Sequence, residues 1–185
     1  MEAKQLYNGE WINLVSWNNY EFVDEASIVL VVLIRKDSEE VLYGIREEYC
    51  PPYFYDSESP DSATEELYYT LITGGIEEGE DAEDALYREI EEEAGIQIVP
   101  GQSQIIALSG SIPMVKFAST QVYPFVVNLE PGSFKVVEAI GDGTENEKKS
   151  KTSWVTAEEV NHIIEEGRNF DFFFLFLKYL IEYPR

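Results

Sequence analysis

Cysteine and histidine are almost missing from this chain: 185 residues contain one Cys (Cys50) and one His (His162). A single thiol excludes an internal disulfide and fits a reducing compartment, so a cytoplasmic location is expected. Bases are scarce too. Thirteen Lys and Arg stand against 36 Asp and Glu, for a formal net charge of −23. A sequence-independent grip on DNA or RNA needs clustered Lys and Arg, so neither nucleic acid nor an anionic membrane surface is expected as a partner. No apolar run is long enough to span a bilayer; residues 172–177, flanked by Asp171 and Lys178, fall far short. The opening MEAKQLYNGEWI lacks the basic start and apolar stretch of a signal peptide. No internal repeat or low-complexity segment is visible. What is present is an ordinary globular composition, 44% hydrophobic, in a chain long enough for one domain with a full core.

Taken in order, residues 6–23 read as two short strands turning at Asn18-Asn19, with Trp11, Trp17 and Tyr20 in this arm. Residues 1–25 are therefore assigned to a β arm and 26–185 to the main domain. Residues 27–35 (SIVLVVLIR) form a β-branched apolar run, the pattern of a central strand. Residues 40–49 alternate and pair back as a hairpin until Pro51-Pro52. Residues 53–66 read as an acidic loop, and 67–73 as a strand. Residues 103–111 and 121–129 read as a further strand pair, 134–147 as loop in its later part, and 151–155 as a short strand. Thr156 with Glu159 three residues on is a capping box, and Gly167 ends that helix. A last, buried helix starts at Asn169 or Asp171 and runs to Tyr183, with Phe172, Phe173 and Phe174 expected in the core. Trp17 is read as packing, and His162 as exposed.

The chain is organised around residues 73–96, TGGIEEGEDAEDALYREIEEEAGI. Asp81 suits an N-cap, acids fill the first turn, and Gly95 sits where a helix should end. At about 100° per residue, Ala82, Ala85, Leu86 and Ile90 share one stripe. Glu89 and Glu93 project into the middle of that stripe, with Glu92 at its edge. A solvated acidic face would explain a generic EIEEE run, but not inward carboxylates. Such a group without a partner costs several kcal/mol or neutralises itself, and acids at this spacing repel one another. A bound divalent cation resolves both problems, because hard oxygen ligands suit Mg²⁺.

Gly74, Glu80, Arg88-Glu89-Ile90, Glu92-Glu93 and Gly95-Ile96, at these spacings over 23 residues, resemble the Nudix box without a gap. That resemblance implies an α/β/α sandwich around a mixed sheet, and hydrolysis of a nucleoside diphosphate linked to another moiety. It implies Glu89, Glu92 and Glu93 as metal ligands, one of them able to act as base. It also implies the Gly74 carbonyl as a further ligand, Arg88 as the group orienting the glutamates, and Glu80 as outer ligand or orienter. Mg²⁺, or Mn²⁺, is the expected cofactor.

Outside the box, GEWINLV, NYEFVDEAS, VLYGIREEYCPP and GDGTENE loosely resemble the ADP-sugar pyrophosphatase branch. The likeness implies a homodimer made by exchanging N-terminal arms, with Trp11 and Tyr20 stacking adenine. Packing of the arm is the competing explanation for both residues. It also implies a loop Glu that positions or deprotonates water; Glu145 and Glu147 are the candidates, and the pattern favours Glu145. Two departures stand out. Cys50 replaces an Arg that reaches substrate phosphate, which Arg46 on the same strand face would have to replace. Ile72-Thr73 replaces Pro-Ala. Three functions follow: an ADP-sugar diphosphatase acting on a substrate such as ADP-ribose, a Nudix enzyme for another nucleotide, or a silent nucleotide-binding module.

Overall fold

The computed structural model describes residues 3–9, 12–37, 40–49, 67–114, 117–141 and 147–184, with the backbone alone at Glu147. The arm is a three-stranded antiparallel sheet of β1 (Lys4–Asn8), β2 (Asn13–Trp17) and β3 (Tyr20–Asp24). Asn18 and Asn19 take φ of 53° and 63°, the left-handed pair that a tight hairpin requires. The sequence reading has two strands here. The extra one, β1, is exposed along its whole length, so it carries no hydrophobic alternation to reveal it.

The main sheet is mixed, as expected. Its path runs β10 (Ile112–Pro113), β11 (Gln121–Leu129), β4 (Ile28–Asp37), β5 (Glu40–Glu48) and β13 (Lys151–Val155). β11 and β4 are parallel, while β4–β5 and β5–β13 are antiparallel. β9 (Gln104–Ala107) adds to β11. Residues expected as one strand split into β6 (Tyr68–Thr70), which pairs with β5, and β7 (Ile72–Gly75), which pairs with β4. The β4–β5 ladder ends at Leu33 and Gly44, and the incoming chain fills the gap, changing partner at the fully buried Leu71. β8 (Ile96–Ile98) and β12 (Phe134–Val136) form a separate pair; β12 falls in a stretch whose later part reads as loop.

The alternation of β4 divides the core. Val29, Val31 and Leu33 face α1 (Ala82–Ala94) and meet Ala85, Leu86 and Ile90. Leu30 and Val32 face α2 (Ala157–Glu165) and α3 (Phe172–Glu182), meeting Val160, Ile163, Phe174 and Leu177. The result is the expected α/β/α sandwich. The expectation of a wholly buried last helix is corrected. Phe174 and Leu177 are core residues, but Phe172 is 58% exposed, and Leu175 and Tyr179 also face outward. Eleven residues cover three turns, and only one stripe of them can meet the sheet. Among the described residues no helix is long and apolar enough to cross a membrane.

Candidate active site

Helix α1 is fixed at both ends as its sequence requires. The Asp81 side chain accepts from the backbone N–H groups of Glu83 and Asp84, both at 2.9 Å. Gly95 closes the helix at φ 61°, donating to the Glu91 carbonyl at 3.1 Å. Between these caps the inner face buries Ala85, Leu86 and Ile90 together with Glu89 and Glu93, which are 7% and 8% exposed. Glu92 lies at the rim. The stripe anomaly seen in the sequence is therefore real: two carboxylates sit in a largely apolar interface.

The space for Glu89 comes from the neighbouring strand. β7 brings Gly74 so close that a Cβ there would overlap the Glu89 carboxyl carbon, so any side chain at 74 would displace the carboxylate. Arg88 supplies the counter-charge. Its Nε and Nη2 form a two-pronged pair with Glu80, at 3.0 and 2.9 Å. Nη2 also donates to the Gly75 carbonyl at 2.7 Å. Nη1 donates to Glu89 at 2.6 Å and to Glu92 at 3.2 Å. The Arg88 hydrogen bonds hold the Glu80 carboxyl below its usual range, and the Glu80 contact in turn raises Arg88 above its own. Glu80 is thus paired with Arg88, and it also accepts the Glu77 N–H at 3.0 Å.

Glu93 has a different holder. Arg46, 2% exposed, lies on β5 between Thr70 of β6 and Thr152 of β13. Its Nη2 is 3.3 Å from Glu93 Oε1, and its Nη1 donates to the Glu93 carbonyl at 3.3 Å. The Thr152 hydroxyl donates to the same carbonyl at 2.8 Å. Arg46, expected from the sequence to stand in for an Arg that reaches substrate phosphate, is buried against a box carboxylate and also lines an adjoining cavity.

Two adjoining cavities meet at Glu92 and Glu93. One, of about 200 Å³, is lined by Glu48, Thr73, Gly74, Gly75, Arg88 and Glu89 besides those two. The other, of about 340 Å³, has mixed polar and apolar walls and adds Arg46, Lys148, Ser150, Lys151 and Thr152. A third, of about 420 Å³, is apolar and lies against α3 among Leu30, Phe117 and Phe173, away from the carboxylates. Sequence reasoning missed Glu48, Lys148 and Lys151. Glu48 had a signal, its even spacing from Arg46 on one strand face; the lysines had none beyond charge.

The donor set suits a hard divalent cation. Glu48, Glu89, Glu92 and Glu93 and the glycine backbone offer oxygen only. Among the described residues no three acidic, His or Cys side chains are drawn together at ligand distance.

Trp11, Cys50 and Glu145 lie outside the described residues, as do the acidic loop 53–66 and the side chain of Glu147. Tyr20 pairs in register with Trp17 across the β2–β3 turn, and each is 53% exposed; in the single chain Trp17 is not packed away. His162 is exposed and sits 3.0 Å from Glu166.

The model of the NUDIX domain matches residues 24–176. The chain belongs to the Nudix family. Similar proteins carry the name NAD-capped RNA hydrolase NUDT12: the Macaca fascicularis protein is 25% identical over 162 residues, and those of Pongo abelii and Homo sapiens 24%. The matched region is 88% of this chain but 28% of each relative, so the chain corresponds to under a third of their length. The carboxylate cavity is built from its Nudix box. The relatives' named activity differs from that of the ADP-sugar branch to which the flanking pattern pointed.

Proposed function

We propose that this Nudix hydrolase cleaves the diphosphate of a nucleoside diphosphate derivative, an ADP-sugar such as ADP-ribose, giving AMP and a sugar phosphate. The observation that carries this reading is the fit of Glu89 beneath Gly74. It preserves a carboxylate-lined cavity next to a cleft bearing Lys148 and Lys151. Glu89, Glu92, Glu93 and the Gly74 carbonyl would hold the cation, Mg²⁺ or Mn²⁺. When bound, such an ion lowers the pKa of water and screens phosphate charge. The chain's own groups do the rest. Arg88 keeps the glutamates in place. The lysines face phosphate oxygens that an acidic protein would otherwise repel. Water attacks one phosphorus, the bridging P–O bond breaks toward the other phosphate, and a carboxylate, a box glutamate or Glu145, takes the proton. Trp11 and Tyr20 would stack the adenine, at roughly 1–3 kcal/mol per stacked base.

A second reading is favoured by the relatives' name: the diphosphate lies between two nucleosides, as in an NAD cap. The same bond is cleaved, and the acidic surface would leave any attached RNA loosely held. The silent-module reading loses support because every box glutamate is in place. A reducing, cytoplasmic setting agrees with the lone cysteine.

A Mg²⁺-dependent assay over ADP-ribose, NADH, a diadenosine diphosphate and ATP tests this. ADP-ribose should be hydrolysed with the highest kcat/KM. Faster NADH cleavage would transfer the assignment to the dinucleotide reading. No turnover of any member with Mg²⁺ or Mn²⁺ would sink the hydrolase mechanism itself.

A further inference from the structure

We propose that Arg46 is the resident counter-ion of Glu93 and sets how tightly the carboxylate cavity takes a divalent cation. This rests on the reading of that cavity as a cation site. The box supplies one arginine, Arg88, and its donors are spent on Glu80, Glu89, Glu92 and the Gly75 carbonyl. Among the Arg88 contacts, none reaches Glu93. The last turn of α1 contains no base of its own, although a helix C-terminus favours a cation. Arg46 arrives from β5, distant in sequence, and meets both needs: Nη1 bonds the Glu93 carbonyl and Nη2 faces its carboxylate. Both side chains are almost wholly buried, at 3% and 9% exposure, where a charge without a counter-charge is costly. Thr152 on the same carbonyl locks the helix end against β13.

Arg46 therefore does two things to Glu93. It holds the carboxylate in place without metal, and it competes with the metal for that group. Arg46 lines the neighbouring cleft together with Lys148 and Lys151, but of the three it is the one whose guanidinium lies 3.3 Å from the Glu93 carboxylate. The pair also gives Arg46 a reason to be buried that substrate binding does not.

Calorimetric titration of the whole chain with Mn²⁺, alongside thermal unfolding with and without the ion, tests the proposal. Arg46→Gln keeps an N–H for the Glu93 carbonyl but removes the charge. It should bind Mn²⁺ at least about tenfold more tightly than wild type, since removing a nearby like charge favours the cation. Its Tm without metal should fall by about 5 °C or more and recover with saturating Mn²⁺. Arg46→Lys, which keeps the charge, should bind Mn²⁺ within about threefold of wild type. Equal or weaker binding by Arg46→Gln would overturn the proposal. Should that variant not fold, the double variant Arg46→Gln with Glu93→Gln must fold, since both charges are gone; its failure would equally refute the pairing. A wild type that binds no Mn²⁺ would refute the cation site and this proposal together. Wild-type binding with an unchanged Arg46→Gln would remove only the role of Arg46.

Discussion

At the scale of the residue, the site depends on how close two main chains come. Gly74 and Gly75 are adjacent, yet only one of them is constrained. A Cβ at 74 would overlap the Glu89 carboxyl, whereas a Cβ at 75 meets nothing within 4 Å. Gly74→Ala should therefore push Glu89 off its position beneath β7. Overpacking of this kind costs about 1–3 kcal/mol, so the protein should fold with a Tm lowered by only a few degrees. Turnover should suffer far more, with kcat down about 100-fold, or roughly 2.7 kcal/mol of barrier. Gly75→Ala should leave both quantities near wild type. Steady-state kinetics with calorimetry on the pair decides it. A Gly74→Ala protein retaining over a tenth of wild-type kcat would show that Glu89 need not sit where β7 allows it. The sequence displays Gly74 only as a spacing; the collision that explains it requires β7 and α1 to be side by side.

At the scale of the element, α3 shows how a cap can carry a penalty. Asp171 is its N-cap, accepting the Phe174 N–H at 3.0 Å and the Thr70 hydroxyl at 2.7 Å. Burial raises the Asp171 carboxyl above its usual range, against the pull of those hydrogen bonds. A raised acid pKa means the folded chain binds the proton more readily than the unfolded chain. The charged form thus works against folding at neutral pH, and relief comes as pH falls through the folded pKa. Asp171→Asn keeps the cap and removes the charge. Its Tm should equal or exceed that of wild type at pH 7, and the difference should shrink on acidification. Asp171→Ala loses the cap and should cost about 1 kcal/mol. An Asn variant whose Tm advantage grew toward low pH would contradict the sign. Elements with local signals were legible beforehand: the Asp81 and Gly95 caps, the Thr156–Glu159 box, the β-branched run of β4. Those made by distant partners were not. Leu71 looks like mid-strand, but the sheet changes partner there; Phe172 looks like core, but α3 turns it outward. Glu93 was legible as inward-facing, while its buried partner Arg46 was readable only as a base on a strand face. Such pairings join residues far apart in the chain, and no local pattern encodes them.

At the scale of the whole molecule, a strongly acidic chain displays an apolar arm. The arm is tied to the body through β3: Val23 donates to the Phe117 carbonyl at 2.7 Å and accepts from the Ser119 N–H at 2.9 Å. Asp24 and Glu25 accept from Ser119 and Thr120, each at 2.6 Å. Beyond this tether, Leu6, Tyr7, Ile12, Trp17 and Tyr20 remain exposed, and β1 presents an open strand edge, a feature natural proteins cover or blunt. Exchange of arms between two copies would cover both, and it would bring Tyr20 into the adenine site proposed above. Two forces oppose each other in that assembly. Apolar burial favours it, while two chains of −23 repel. Raising ionic strength from about 0.01 M to 0.15 M shortens the screening length from about 30 Å to about 8 Å and leaves the apolar contribution in place. A homodimer of this kind should therefore tighten with added salt. Sedimentation at about 10 μM protein should give mostly dimer at 0.15 M NaCl and a larger monomer fraction at 0.01 M. Trp17→Asp combined with Leu6→Asp should shift the protein to monomer while preserving its Tm within a few degrees. A wild-type monomer at every salt concentration would remove the exchanged arm from the substrate site, leaving the carboxylate cavity and its two arginines untouched.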